Sequence, residues 1–249
     1  MKPILKINKL KKVYHDIDGE VTAIDDISLD VYEKELLSIV GPSGCGKTSL
    51  LSILSKLEDK SGGTISFEKD KIVMGYMLQK DALFPWRTIL ENCLIGLEIN
   101  HTLCDKTKKR VIDLLNTYGL GEFINKYPSS LSGGMRQRVA LIRTLAIDPD
   151  ILLLDEPFSA LDYQTRLSLS DDVYRIIKNE GKTAILVTHD LAEAISLSDR
   201  IVVLSKRPAT IKEIYKIELT NKSTPINNRK CKEFSSYYEK IWRDLDVHL

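Results

Sequence analysis

Gly41-Pro42-Ser43-Gly44-Cys45-Gly46-Lys47-Thr48 matches the phosphate-binding pattern G-x-x-x-x-G-K-[ST] in full. Glycines at this spacing let the backbone wrap with its N–H groups pointing inward at phosphate oxygens, and a helix beginning at Lys47 adds a favourable dipole. Lys47 has the reach for terminal phosphates, and the Thr48 hydroxyl is a ligand suited to magnesium. The plainer reading is a glycine-rich turn, but a chance match arises in about one chain in a hundred of this length.

Asp155 and Glu156 end the apolar run Ile151-Leu152-Leu153-Leu154. Carboxyl ends of parallel strands open onto the ligand crevice, so the pair is placed for phosphate chemistry. Asp155 suits a magnesium ion, held through its water shell, and Glu156 suits a general base that polarises an attacking water. By itself such a pair is more often a solvated turn; behind a phosphate loop that reading loses most of its weight. Leu131-Ser132-Gly133-Gly134 opens a helical segment running to Leu145, where Ser132 by itself reads as an N-cap.

These residues need a scaffold, and the patterning supplies one. Ile4 to Val31 alternates apolar and polar residues around His15-Asp16-Ile17-Asp18-Gly19, which predicts two antiparallel strands and a turn. Glu35 to Val40 predicts a strand leading into the glycine loop, followed by a helix from Lys47 to Leu57. Thr64 to Phe67 and Ile72 to Met77 return to strand character. From about Ala82 to Leu145 the spacing is helical and predicts an inserted helical subdomain. Ile151–Leu154, Thr183–Val187 and Ile201–Leu204 read as buried parallel strands, with a helix from Tyr163 to Asn179 between the first two. Asn221 to Lys230 reads as a polar surface loop before a last amphipathic helix over about 233–245. The expected fold is α/β: a phosphate-loop NTPase core with a mainly parallel sheet, a small antiparallel subdomain and a helical insert, all in one domain over 1–249.

The order Gly41 to Thr48, Gln79, Leu131 to Met135, Asp155-Glu156, Ser159-Ala160-Leu161-Asp162 and His189 resembles an ATP-binding cassette (ABC) domain across nearly the whole chain. The resemblance implies ATP and Mg2+ as ligands. It implies nucleotide contacts from Tyr14, Gly41, Pro42, Ser43, Gly44, Cys45, Gly46, Lys47, Thr48, Ser49, Ser132, Gly133, Gly134 and Asp162. Tyr14 would stack on adenine, Thr48, Gln79 and Asp155 would serve the metal, and Glu156, Gln79 and His189 would be catalytic. Packing within its own strand is the plainer account of Tyr14. In this family the Leu-Ser-Gly-Gly segment caps the nucleotide held by a second subunit, which implies a pair of ATPase chains, expected to be a homodimer. Met135 departs from the glutamine common at that position, while Gln137 and Arg138 keep the pattern. Glu156 is retained, so ATP hydrolysis is expected.

Lys126-Tyr127-Pro128-Ser129-Ser130 ahead of the motif is similar to importers. Leu83-Phe84-Pro85-Trp86-Arg87 and Lys206-Arg207-Pro208 resemble the nitrate, sulfonate and taurine importer group. That likeness implies a separate permease docking near Leu83 to Leu97, a solute-binding protein acting indirectly, and a peripheral place on the cytoplasmic face of the cell membrane. A soluble cassette ATPase of an assembly complex, of the iron–sulfur type, is the alternative; a phosphate-loop kinase leaves Leu131–Gly134 and His189 without a role.

Composition fits. The 249 residues are 43% hydrophobic and 29% charged with a formal net charge of +1, which gives no call for nucleic acid as a partner. No apolar run approaches the roughly 18 residues of a membrane span. Cys45, Cys93, Cys104 and Cys231 show no paired or zinc-ligand spacing, so free thiols are expected, with Cys45 a target for alkylating reagents.

Overall fold

The opening alternation becomes β1 (Pro3–Asp16) paired antiparallel with β2 (Gly19–Tyr32) in the computed structural model, which describes residues 2–16, 19–159 and 161–245. The expected hairpin turn includes Ile17 and Asp18, and the Ser159–Asp162 motif includes Ala160; all three lie outside the described residues. β3 (Leu36–Val40) leads into α1 (Lys47–Leu54). The helix stops short of Leu57 because Lys56 takes a φ of 62°, a left-handed conformation that ends a helical run. β4 (Gly62–Phe67) then pairs with the free edge of β1, giving a three-stranded sheet in the order β2-β1-β4.

β5 (Met74–Met77) precedes α2 (Ile89–Ile99), α3 (Asp105–Thr117) and α4 (Gly133–Ala146). Next come β6 (Ile151–Asp155), α5 (Tyr163–Asn179), β7 (Thr183–Val187), α6 (Leu191–Leu197) and β8 (Arg200–Leu204). The second sheet runs β5-β6-β7-β3-β8 in parallel, and β9 (Ile211–Lys216) closes it antiparallel to β8. β9 was absent from the sequence pattern: Lys212-Glu213 breaks its alternation, and such charges suit an exposed edge strand.

Period-two geometry explains why β6 and β7 are apolar throughout. Leu152, Leu154, Ala184 and Leu186 face a core shared with the helices, while Ile151, Leu153, Ile185 and Val187 face a core shared with α1 and the antiparallel sheet. A strand with a core on each side has no solvent face to leave polar.

The stretch read as a loop after Asn221 contains a helical turn, α7 (Pro225–Asn228). Its organiser is Asn228, fully buried, whose Oδ1 accepts from Ser223 N–H at 2.7 Å and whose Nδ2 donates to the Ser196 carbonyl at 2.7 Å. α8 (Lys232–Asp244) ends the described chain, with Ile241 in the third core cluster alongside Leu191 and Ile195 of α6.

β5 and α4 approach each other at Gly75. A Cβ there would lie 2.6 Å from Thr144 Cγ2 and 3.1 Å from the Thr144 carbonyl. We expect Gly75→Ala to cost about 1–3 kcal/mol through overpacking, seen as a Tm lower by several degrees in calorimetry. An unchanged Tm would show that the strand and helix have slack.

Candidate active site

The parallel register brings four strand ends to one level. Met77 pairs with Leu154, Asp155 with Val187, and Val187 with Ile39. Gln79, Glu156, His189 and the loop after Val40 therefore emerge side by side at the carboxyl edge of the sheet, as doubly covered parallel sheets dictate.

The loop from Gly41 to Gly46 turns tightly, with Cys45 N–H donating to the Pro42 carbonyl at 3.2 Å. Gly46 has a φ of 119°, and a Cβ there would meet the Ala23 carbonyl at 3.1 Å, so both backbone angle and space require glycine. The first helical bond of α1 runs from Leu50 N–H to the Gly46 carbonyl. The N–H groups of residues 46–49 are consequently left without helical acceptors, an arrangement that suits an anion. Lys47, 6% exposed, donates through Nζ to the carbonyls of Gly41 at 2.8 Å and Pro42 at 3.0 Å. Its ammonium is thereby held inside the loop, with the Cys45 thiol 3.9 Å away as a weak third acceptor that an anion would outcompete.

Asp155 sits behind Thr48. Its Oδ1 lies 3.4 Å from Thr48 Oγ1, and its Oδ2 accepts from the Tyr76 hydroxyl at 3.1 Å. Burial pushes the Asp155 carboxyl above the ordinary carboxylate range, and the adjacent Glu156 adds to this against the Tyr76 and Thr48 hydroxyls and Lys47. A bound cation would reverse that penalty. One hydroxyl, one partly desolvated carboxylate and the Gln79 carboxamide nearby form an all-oxygen donor set that fits magnesium.

Glu156 has a φ of 44°, in the left-handed region, fixed by a bond from its N–H to the Val187 carbonyl at 2.9 Å. Ser159 Oγ caps the same turn by donating to the Glu156 carbonyl at 3.0 Å. This backbone aims the carboxylate between two side chains: Glu156 Oε2 lies 3.1 Å from His189 Nδ1 and 3.3 Å from Gln79 Nε2. Gln79 also donates to Ser159 Oγ at 3.1 Å.

Tyr14 reaches the same cleft from β1, and with Ser43, Lys47, Gln79 and Asp155 it lines a space of about 380 Å³. Its hydroxyl donates to Glu58 at 2.6 Å and shares a 2.8 Å hydrogen bond with Ser49, while Lys12 Nζ stands 4.6 Å from the ring centroid. Cys45 contributes its backbone N–H to the loop turn and a weak thiol contact to Lys47 Nζ at 3.9 Å. Its thiol is 1% exposed and turned into the core, which removes the expected sensitivity to alkylation.

Ser132, Gly133, Gly134 and Asp162 form a separate group. Ser132 caps α4 by accepting from Met135 N–H at 3.3 Å, and Asp162 caps α5 by accepting from Thr165 N–H at 3.0 Å. The two helix starts touch: a Cβ on Gly133 would meet Leu161 at 3.1 Å and one on Gly134 would meet Thr165 at 3.0 Å. Among the described residues, no hydrogen bond joins this group to the phosphate loop.

α4 does grip the turn after Gln79. Gln137 Nε2 donates to the Gln79 carbonyl at 3.3 Å, and Arg143 donates to the carbonyls of Asp81 at 2.6 Å and Ala82 at 2.8 Å. Arg136 joins Asp81 Oδ2 at 3.0 Å to the Leu131 carbonyl at 2.8 Å. Tyr76, Arg136 and Arg143 had no sequence signal as site residues, and Ser159 and Gln137 appeared only as members of motifs, since nothing in the motif order says that β5 lies beside β6.

This constellation defines a phosphate-loop ATPase of the cassette type, and the comparisons agree. Residues 24–159 match the ABC transporter family, and the chain belongs to it. It is 46% identical over 249 residues to the uncharacterized ABC transporter ATP-binding protein YtlC of Bacillus subtilis, covering 97% of this chain and 95% of that one. It is 39% identical to the taurine import ATP-binding protein TauB of Roseobacter denitrificans, covering 95% and 92%. It is 35% identical to the aliphatic sulfonates import ATP-binding protein SsuB of Bacillus thuringiensis, covering 97% and 96%. Among solved structures, a dimeric ATP-binding cassette in a post-hydrolysis state with ADP and Pi superimposes with a TM-score of 0.73 at 28% identity, over 86% of this chain and 99% of that one. The chain binds and hydrolyses ATP. No helix among the described residues is long and apolar enough to cross a membrane.

Behind His189 lies a buried acid. Thr188 Oγ1 donates to Glu193 Oε2 at 2.7 Å, and burial pushes the Glu193 carboxyl up to about 7, with Asp190 adding to the rise and Thr188, Arg166 and Arg229 opposing it. A folded-state pKa raised above the free value favours the protonated form. Its stabilising contribution is therefore full below the ordinary glutamate range near 4.5 and lost as pH rises through about 7. We expect Tm to fall by a few degrees between about pH 4.5 and pH 7 and to level off above, and Glu193→Gln to flatten that slope in scanning calorimetry. An unaltered slope in the variant would clear Glu193 of the effect.

Proposed function

We propose that the chain is the motor subunit of an ABC importer, hydrolysing ATP at sites shared between two copies beneath a separate permease. The observation that carries this is the separation, within one chain, of Ser132–Gly134 from the phosphate loop. Each group offers helix N–H donors to an anion, and one nucleotide would use both only if two chains met face to face. The dimeric cassette with ADP and Pi supports the same reading.

Residues 41–46 and Lys47 would hold the phosphates, Ser49 would support them, and Tyr14 would hold the adenine. Thr48, Asp155 and Gln79 would hold Mg2+, which when bound offsets charge on the phosphate oxygens. Glu156 would take a proton from the attacking water, with Gln79 and His189 fixing its carboxylate 3.3 and 3.1 Å away. Ser132, Gly133, Gly134 and Asp162 would serve the partner's nucleotide.

For the permease, Leu83 to Leu97 presents a built surface. Asn92, fully buried, accepts from Phe84 N–H at 2.7 Å and donates to the carbonyls of Phe84, Arg87 and Thr88. That rigid loop holds Trp86, 71% exposed, out from the helices. Attachment there would place the chain on the cytoplasmic face of the membrane. The taurine and sulfonate relatives favour import of a solute of the nitrate, sulfonate or taurine type, delivered by a binding protein.

Two experiments test this. Glu156→Gln should bind ATP, turn it over at least about a hundredfold more slowly and dimerise with ATP by light scattering, and adding Ser132→Arg should abolish that dimer. A monomer that hydrolyses ATP would falsify the shared site. Tagged chain captured from solubilised native membranes should bring down a polytopic permease, with less recovered for Trp86→Ala; recovery of soluble partners alone would point to an assembly ATPase.

A further inference from the structure

Arg166, in the first turn of α5, stands between two segments of the candidate site that the motif order treats as independent. Its Nη2 donates to the Leu161 carbonyl at 3.2 Å, next to Asp162. Its Nη1 donates to Asp190 Oδ2 at 3.4 Å, next to His189, and its Nε lies 3.8 Å from Glu193 Oε1. Nε is buried and makes no hydrogen bond, so Glu193 faces it only as an ion-pair partner. A planar guanidinium with donors on three sides can span such a triangle, whereas an ammonium is a point charge.

What Arg166 holds on the His189 side is itself tightly framed. Asp190 Oδ1 accepts from Ala192 N–H at 2.8 Å and Glu193 N–H at 3.1 Å, capping α6. Asp190 N–H donates to Thr188 Oγ1 at 3.0 Å, and Thr188 N–H donates to the Ile39 carbonyl at 3.3 Å in β3. His189 is thus fixed by its two neighbours, and one of them is paired with Arg166.

We propose that Arg166 is a positioning residue that ties the place of His189 beside Glu156 to the place of the Leu161–Asp162 turn. The inference rests on the reading of His189 and Asp162 given above. If Asp162 meets the second copy and His189 meets the chain's own nucleotide, Arg166 is the rigid link by which arrival of the partner is felt at His189. Glu193 makes the link sensitive to pH. The groups facing it are Arg166 from α5, Arg229 after α7, the Thr188 hydroxyl and Asp190. Protonation of Glu193 removes one of the two carboxylates that face the guanidinium.

The test uses the full chain without nucleotide first. The sequence holds four histidines, so His189→Gln identifies the His189 ring resonance in carbon–proton NMR spectra. In Arg166→Gln the His189 ring resonances should shift, while the other histidine resonances stay in place. In steady-state hydrolysis the same variant should lose about tenfold in kcat with KM for ATP within about twofold, as misplacement of a positioned group predicts. Its acid limb near neutral pH should weaken, because without Arg166 the protonation of Glu193 no longer reaches His189. Arg166→Lys, which keeps the charge, should restore the acid limb. Unmoved His189 resonances together with an unmoved pH profile overturn the inference. If Arg166→Gln does not fold, Glu193→Gln decides: loss of the acid limb supports the link and a parental limb overturns it. Parental hydrolysis by His189→Ala would instead sink the catalytic reading of His189, while the NMR result would still judge the link.

Discussion

Everything at the candidate site depends on the register of one parallel sheet. Pairing of Asp155 with Val187, and of Val187 with Ile39, sets the heights at which β6, β7 and β3 release their chains. A slip of one residue in β6 would turn Asp155 away from Thr48 and exchange the contents of the two cores, since alternate residues serve opposite faces. Burial on both faces makes the register stiff. The polar geometry at the strand ends inherits that stiffness, including the left-handed backbone at Glu156 that no isolated turn would favour.

The same logic separates what was legible in the sequence from what was not. The loop from Gly41 to Thr48 and the pair Asp155-Glu156 could be read because their chemistry needs neighbours along the chain, and the short apolar runs because two-sided burial leaves no polar positions. Gln79 and His189 carry meaning only through their order in the resemblance. Tyr76 against Asp155, Ser159 against Gln79, and Arg166 against Asp190 are contacts across elements, and no spacing encodes them. β9 was hidden by its adjacent charges and α7 by its polar composition, since a single buried side chain, Asn228, organises that turn. Cys45 was misread because position in a motif says nothing about which way a side chain turns.

The chain divides its polar chemistry between a sheet edge and a pair of helix starts. At the edge, groups meet through strand register; at the helix starts, Gly133 and Gly134 permit α4 and α5 to touch through Leu161 and Thr165.

The grip of α4 on the turn after Gln79 has a mechanical meaning. Gln137, Arg136 and Arg143 contact that turn at three points along one helix, mostly through main-chain carbonyls. A helix resists bending far more than a loop resists hinging, so the turn from Asp81 to Ala82 is braced by α4, while the Gln79 side chain is held from the other side by Glu156 and Ser159. Gln79 thus sits at a joint: a displacement of α4 relative to β6 would have to break either the Gln137 bond to its main chain or the Glu156 and Ser159 bonds to its side chain.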